Sequence, residues 1–170
     1  AVDEWIADSV SAEATYGHIS NWDVSSVTNM SNMFTQAYVF NQDLSSWNVS
    51  SVTNMSNMFT QAYVFNQDLS SWDVSNVTNM NGMFSNASSF NGDISGWDVS
   101  SVTSMWYMFY YSESFNQDLS SWDVSSVTNM DNMFYNPQSL SVENKCAIYE
   151  SFSTNSYWPY DWSNYCPFTD

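Results

Sequence analysis

A tryptophan recurs every 25 residues, at Trp22, Trp47, Trp72, Trp97 and Trp122. The rest of the sequence keeps the same step. Residues 24–47 and 49–72 are identical, and all ten methionines fall in two columns: Met30, Met55, Met80, Met105, Met130 and Met33, Met58, Met83, Met108, Met133. Two phenylalanine columns run beside them: Phe34, Phe59, Phe84, Phe109, Phe134, and Phe40, Phe65, Phe90, Phe115, the second closed by Leu140. A large apolar residue returning at a fixed step means that the same pocket is built once per repeat. One repeat cannot bury its apolar face alone, so the repeats must stack.

Within each unit two local patterns stand out. Met30, Met33, Phe34 and Ala37 are spaced i, i+3, i+4, i+7, the spacing of one helix face, and Thr28 ahead of them suits an N-cap. Trp47 and Val49 alternate with Ser46, Asn48 and Ser50, the period of a strand. These patterns predict a short parallel strand and a short helix per repeat. Asn41, Asn66, Asn91 and Asn116 form a further column and predict an internal amide ladder joining the repeats. Residues 1–21 depart from the consensus and read as an N-terminal helical cap, 22–141 as five repeats, and 142–170 as a C-terminal cap. That last segment carries eight aromatic residues: Tyr149, Phe152, Tyr157, Trp158, Tyr160, Trp162, Tyr165 and Phe168.

The unit W-D-V-S-S-V-T-N-M-x-x-M-F-x-x-A-x-x-F-N-x-D-L-S resembles the repeat of BspA-like leucine-rich-repeat surface proteins, over residues 14–141. With the local patterns, the expected fold is an α/β solenoid: a leucine-rich-repeat-like right-handed coil of five 25-residue turns between two caps. The resemblance implies a secreted or cell-surface protein of adhesion and recognition. It brings no catalytic residues with it.

Composition narrows the function. The net charge is −17, with Lys145 as the only basic side chain and no Arg. Phosphate binding rests on clustered Lys and Arg, so nucleic acid is excluded as a partner, and so is docking on an anionic membrane. No apolar run approaches the length of a membrane span, so no direct membrane insertion is expected. The chain starts at Ala1 and reads as a processed one. Catalysis needs a nucleophile, base or metal gathered in one place. His18 has no catalytic partner in sequence, and carboxylates that recur in every repeat mark structure. No enzyme is expected.

Four sets of residues remain as candidates. Cys146 and Cys166, the only cysteines, lie 20 apart in one irregular segment and read as a disulfide, hence an oxidising compartment. Asp23, Asp73, Asp98 and Asp123 (with Asn48 in the gap) and the unbroken column Asp43, Asp68, Asp93, Asp118 would bring like charges close together. Either each Asp accepts backbone N–H bonds at a turn, or Ca²⁺ sits between neighbouring Asp residues of the second column. No other cofactor is expected. Sequons stand at Asn29, Asn48, Asn54, Asn76 and Asn86, with Asn29 and Asn54 the preferred carriers if the protein is glycosylated.

The fourth set is aromatic. The fourth repeat replaces small polar residues with Trp106, Tyr107, Tyr110 and Tyr111, and Tyr135 follows in the fifth. An aromatic surface patch is either a seat for the C-terminal cap or a contact surface, together with Tyr157, Trp158 and Trp162 of the tail. The expected function is a non-enzymatic extracellular scaffold, adhesive or self-assembling into a filament, with itself or surface proteins and glycans as partners. The alternative is a glycan- or calcium-binding recognition module. An ice-binding array fits less well, because the presumed exposed face is Ser-Asp-Ser rather than Thr-rich.

Overall fold

The structure is a computed structural model and describes residues 1–166. Phe168 lies outside the described residues. The repeats are built from β-turns. In the first repeat the N–H of Met33 donates to Met30 O at 3.3 Å, Thr35 to Asn32 at 3.1 Å, Ala37 to Phe34 at 3.1 Å and Phe40 to Ala37 at 3.1 Å. Each bond spans three residues, as in a turn, where an α-helix would span four. Asn32 and Gln36, each the third residue of its turn, have φ of 60° and 61°. A type II turn demands positive φ there, and Asn or Gly adopts it at least cost. The same two columns are left-handed in every repeat: Asn57 and Gln61, Gly82 and Asn86, Tyr107 and Tyr111, Asn132 and Asn136. A left-handed residue every four positions is incompatible with an α-helix.

The alternate amides of the same segment bind the next repeat. Met30, Asn32, Phe34 and Gln36 donate to the carbonyls of Asn54, Ser56, Met58 and Thr60 at 2.8–2.9 Å, and the pattern recurs at all four junctions. One bond runs the other way at every junction, such as Thr53 N–H to Thr28 O at 2.8 Å, and the two middle junctions add a second, Ser89 N–H to Tyr63 O at 3.1 Å and Ser114 N–H to Ser88 O at 3.0 Å. Parallel bridges join Asn29, Asn54, Asn79, Ser104 and Asn129 in sequence.

This corrects the expected α/β solenoid. Among the described residues there is no strand and no sheet beyond those isolated bridges, and the helices lie outside the five repeats. The segment expected to be helical carries the ladder between repeats. The segment expected to be a strand carries none. Trp47 and Val49 are buried, as their alternation suggests, but the Trp47 N–H closes a turn on Leu44 O at 3.0 Å. Side chains join the repeats on that side. Trp72 Nε1 donates to Leu44 O at 3.0 Å, with the same bond at Trp47, Trp97 and Trp122, and Ser71 Oγ donates to Ser45 O at 2.7 Å. The asparagine column does join repeats, by accepting. Asn41 Oδ1 takes the Asn66 N–H at 2.9 Å, and Asn66 and Asn91 repeat this one step further on. Asn41, Asn66 and Asn91 are exposed, so the ladder runs along the surface and not inside.

The core is a stack of rings. Phe34, Phe59, Phe84, Phe109 and Phe134 lie face to face at 5.3–5.9 Å. Phe40, Phe65, Phe90 and Phe115 stack alongside at 6.1–6.2 Å. Both methionine columns are buried except Met33, which is half-buried at the first repeat.

Both ends are capped. At the N-terminus α1 (Val2–Ala7) and α2 (Ser9–Tyr16) meet at Asp8, whose carboxylate accepts the Val10 and Ser11 N–H groups, and Trp5 is buried. At the C-terminus α3 (Val142–Phe152) takes the place of a sixth repeat. Ser141 N–H continues the asparagine column onto Asn116, and Asn144 Nδ2 donates to Asn116 O as Gln67 and Gln117 donate to the Asn41 and Asn91 carbonyls one repeat back. The Tyr160 hydroxyl accepts the Phe134 N–H at 2.9 Å, where the next repeat would offer a carbonyl. Burial pushes the Tyr160 phenol up to about 12, so it stays protonated. The Cys146–Cys166 disulfide is formed, Cα atoms 4.9 Å apart, and ties α3 to the end of the tail. No helix is long and apolar enough to cross a membrane among the described residues.

Candidate functional site

The turn ladder sets where the fourth-repeat aromatics go. Residues 106 and 107 form the centre of one turn and 110 and 111 of the next, and the central residues of these turns point away from the Phe stack. Trp106 and Tyr107 rings are 4.3 Å apart, Tyr107 and Tyr110 4.5 Å, and Tyr110 and Tyr111 4.7 Å. Tyr135 stacks on Tyr110 from the fifth repeat at 5.0 Å. The five rings make one continuous platform. Trp106 is 45% exposed and Tyr135 46%, and the three tyrosines between them are half-buried. Burial among neighbouring rings raises the Tyr110 phenol above its ordinary value.

Two of these rings are held at a cost. Tyr107 and Tyr111 occupy the left-handed columns, with φ of 59° and 52°, where the other repeats place Asn, Gln or Gly. A bulky residue there costs roughly 1–2 kcal/mol. Gln36 and Gln61 carry the same backbone, so the cost belongs to the turn ladder and what is particular to the fourth repeat is the rings it holds out. Among the described residues the cap meets the edge of the platform at Tyr160, whose phenol binds the Phe134 N–H and lies near Tyr107 and Asp131. The rest of the cap packs on the end of the Phe column, with Trp162 5.4 Å and Trp158 6.2 Å from Phe134.

The tail residues grouped with the platform therefore separate. Trp162 is buried and Trp158 half-buried in the cap, packed on Phe134, so both serve closure of the Phe column and stand apart from the five rings. Tyr157 is 53% exposed but lines a separate cleft with Trp122, Asp123 and Asn155. A second exposed apolar patch had no signal beyond two repeated dipeptides. Tyr38, Val39, Tyr63 and Val64 are all exposed, and the two tyrosine rings stack at 5.1 Å. The later repeats carry Ser88-Ser89 and Glu113-Ser114 at these positions.

The aspartates are used locally. Asp43, Asp68, Asp93 and Asp118 each accept the N–H of the residue two further on, at 2.8–3.0 Å. Asp23, Asp73, Asp98 and Asp123 do the same. The Ser75 and Ser100 hydroxyls, which donate to Asp73 and Asp98 at 2.6 Å, and then the backbone N–H groups hold those carboxyls below the usual range; at Asp68 the Ser70 N–H is the main cause, and in all three repulsion from the neighbouring Asp acts the other way and is the smallest of the causes. Among the described residues neither column gathers three carboxylates at ligating distance, and the one such group, Cys146, Glu150 and Cys166, contains the disulfide sulfurs. His18 Nδ1 meets Ser20 Oγ at 2.8 Å, and its ring packs edge-on against Trp5. Of the sequons, Asn29, Asn48 and Asn76 are exposed. Asn54 and Asn86 are half-buried, Asn54 between its bridge partners Asn29 and Asn79.

Two overlapping stretches, residues 8–104 and 67–155, match the family described as Mycoplasma protein of unknown function, DUF285. No curated protein and no solved structure matches the chain. The two matches together run from the second N-terminal helix through all five repeats and into α3, so the chain belongs to the DUF285 family.

Proposed function

We propose that this protein is a non-enzymatic extracellular or cell-surface repeat scaffold that works by adhesion or self-assembly, and that its contact surface is the aromatic platform of the fourth and fifth repeats. The observation that carries this reading is the platform itself: five contiguous rings on the surface. Aromatic side chains dominate contact energies, and a contiguous exposed patch of them marks an interface. The disulfide suits an oxidising compartment, and the resemblance to BspA-like repeats supports a surface location. Exposed rings also suit sugar faces, which keeps glycans among the partners. Calcium is the weaker reading, because the Asp columns are already engaged in turns.

Self-assembly has its own support in the second patch at Tyr38, Val39, Tyr63 and Val64, towards the opposite end of the repeat array. Two unlike apolar surfaces at opposite ends allow a head-to-tail contact, which does not close and so extends into a filament. The test compares wild type with Trp106→Ser/Tyr110→Ser by sedimentation, electron microscopy and attachment to cells and glycan-coated surfaces. Association or attachment by wild type, lost in the variant, supports the reading. A wild type that stays monomeric at high concentration and attaches to nothing overturns it.

A further inference from the structure

The platform lies in an acidic field, and its flanks carry carboxylates with no cation of their own. Asp131 follows Trp106 by one repeat in the same column, and its carbonyl accepts the Tyr107 N–H at 3.1 Å. Glu113 lies two residues beyond Tyr111, and both carboxylates are exposed. Among the described residues the only ion pair is between the N-terminus and Glu4. Lys145, the sole basic side chain, stands 4.9 Å over the ring of Tyr165 in the cap.

We propose that the platform recognises cationic side chains, and that its partner is an Arg- and Lys-rich segment of another protein. This rests on the platform being the adhesive surface. The faces of Trp and Tyr rings carry negative charge density and attract guanidinium and ammonium groups, with Trp the strongest. Asp131, one repeat from Trp106 in the same column, and Glu113, two residues from Tyr111, are exposed carboxylates that such a partner can pair with. The net charge of −17 repels anionic partners, draws cationic ones, and raises their rate of encounter. A neutral sugar stacks on the same rings but gains nothing from the charge. The chain's own Lys145 already packs on an aromatic ring in this way.

The test is titration of the full chain with a fluorescent arginine–glycine decapeptide free of aromatic residues, at physiological salt. Trp106→Ser/Tyr110→Ser should weaken binding about ten-fold, the size expected for losing two cation–π contacts. Asp131→Asn/Glu113→Gln should weaken it more than Asp73→Asn/Asp98→Asn, which removes the same charge elsewhere on the surface. Equal effects of the two charge pairs overturn the proposal, because they show attraction to bulk acidity alone. On wild type, the aromatic ¹³C–¹H signals of Trp106 and Tyr135 should move with the peptide, a readout independent of variant folding. Signals that stay fixed while the peptide binds overturn it too. A neutral oligosaccharide serves as the second arm. If the sugar shifts these signals and the peptide does not, the cationic partner is wrong and the adhesive reading stands. If neither binds and wild type attaches to no surface, both fall.

Discussion

Phe84→Ala removes the central ring of the core column. Phe84 is fully buried, 3.9 Å from Phe90 in its own repeat, with Phe59 at 5.6 Å on one side and Phe109 at 5.9 Å on the other. A buried Phe→Ala change costs about 3–5 kcal/mol, depending on how far the site collapses. Collapse is restricted here. The Phe84 N–H is bound to Met108 O at 3.0 Å, and the Phe59 N–H to Met83 O at 2.8 Å, so the flanking repeats cannot close the gap without breaking the ladder. The expected loss is therefore in the upper half of that range, about 4 kcal/mol. With a urea m-value of about 2 kcal/mol/M, the midpoint should fall by about 2 M. Phe34→Ala, whose ring has a column neighbour on one side only, should cost about 1 kcal/mol less. Tyr63→Ala, on an exposed ring, is the control. A Phe84→Ala midpoint indistinguishable from that of Tyr63→Ala would refute the stacked core.

Gly82→Ala should destabilise by about 1–2 kcal/mol, since Gly82 has φ +59° and its added Cβ would fall 2.3 Å from Asn57 Oδ1. Gly96→Ala, with open space at its Cβ and no positive φ, should be neutral or stabilising, and equal melting-temperature shifts for the two would contradict the turn assignment. Reduction of Cys146–Cys166, which closes a segment of 20 residues, should cost about 3 kcal/mol and open the cap first, raising amide exchange at Ile148 before that at Met80; a denaturant midpoint unmoved by reductant would count against it. For acid, the sign follows from depressed carboxyls. Asp8, Asp23, Asp43, Asp68, Asp73, Asp98 and Asp123 titrate below the usual aspartate range, so their stabilisation is complete above that range and is lost as pH falls through the lower folded values. The melting temperature should drop between roughly pH 4 and pH 2, and a flat profile there would contradict the Asx-turn role of these residues.

The repeat, its buried columns and the disulfide were legible because each is written as identity at a fixed spacing. The local backbone departs from the sequence pattern for a physical reason. Met30, Met33, Phe34 and Ala37 fit a helix face, yet two consecutive four-residue turns, 30–33 and 34–37, return their end residues to one side just as well. The discriminating signal lay between them. The column Asn32, Asn57, Gly82, Asn132 places residues that tolerate left-handed backbone at one fixed position, which is a turn signature. Tyr107 in that column hid the rule and at the same time marked the platform. Trp158 and Trp162 were indistinguishable in sequence from surface aromatics, because nothing local records that Phe134 needs a cover at the end of the stack.

The central structural claim is that the repeats are joined through the turn segment, and one bond tests it most directly. In a helix over this segment the Phe84 N–H would bond to the carbonyl of Met80, four residues back. Here it bonds to Met108, 24 residues ahead, at 3.0 Å. A through-hydrogen-bond NMR coupling between the Phe84 amide nitrogen and its acceptor carbonyl carbon identifies the partner. A correlation to Met108 is the predicted result, and a correlation to Met80 would contradict the fold described.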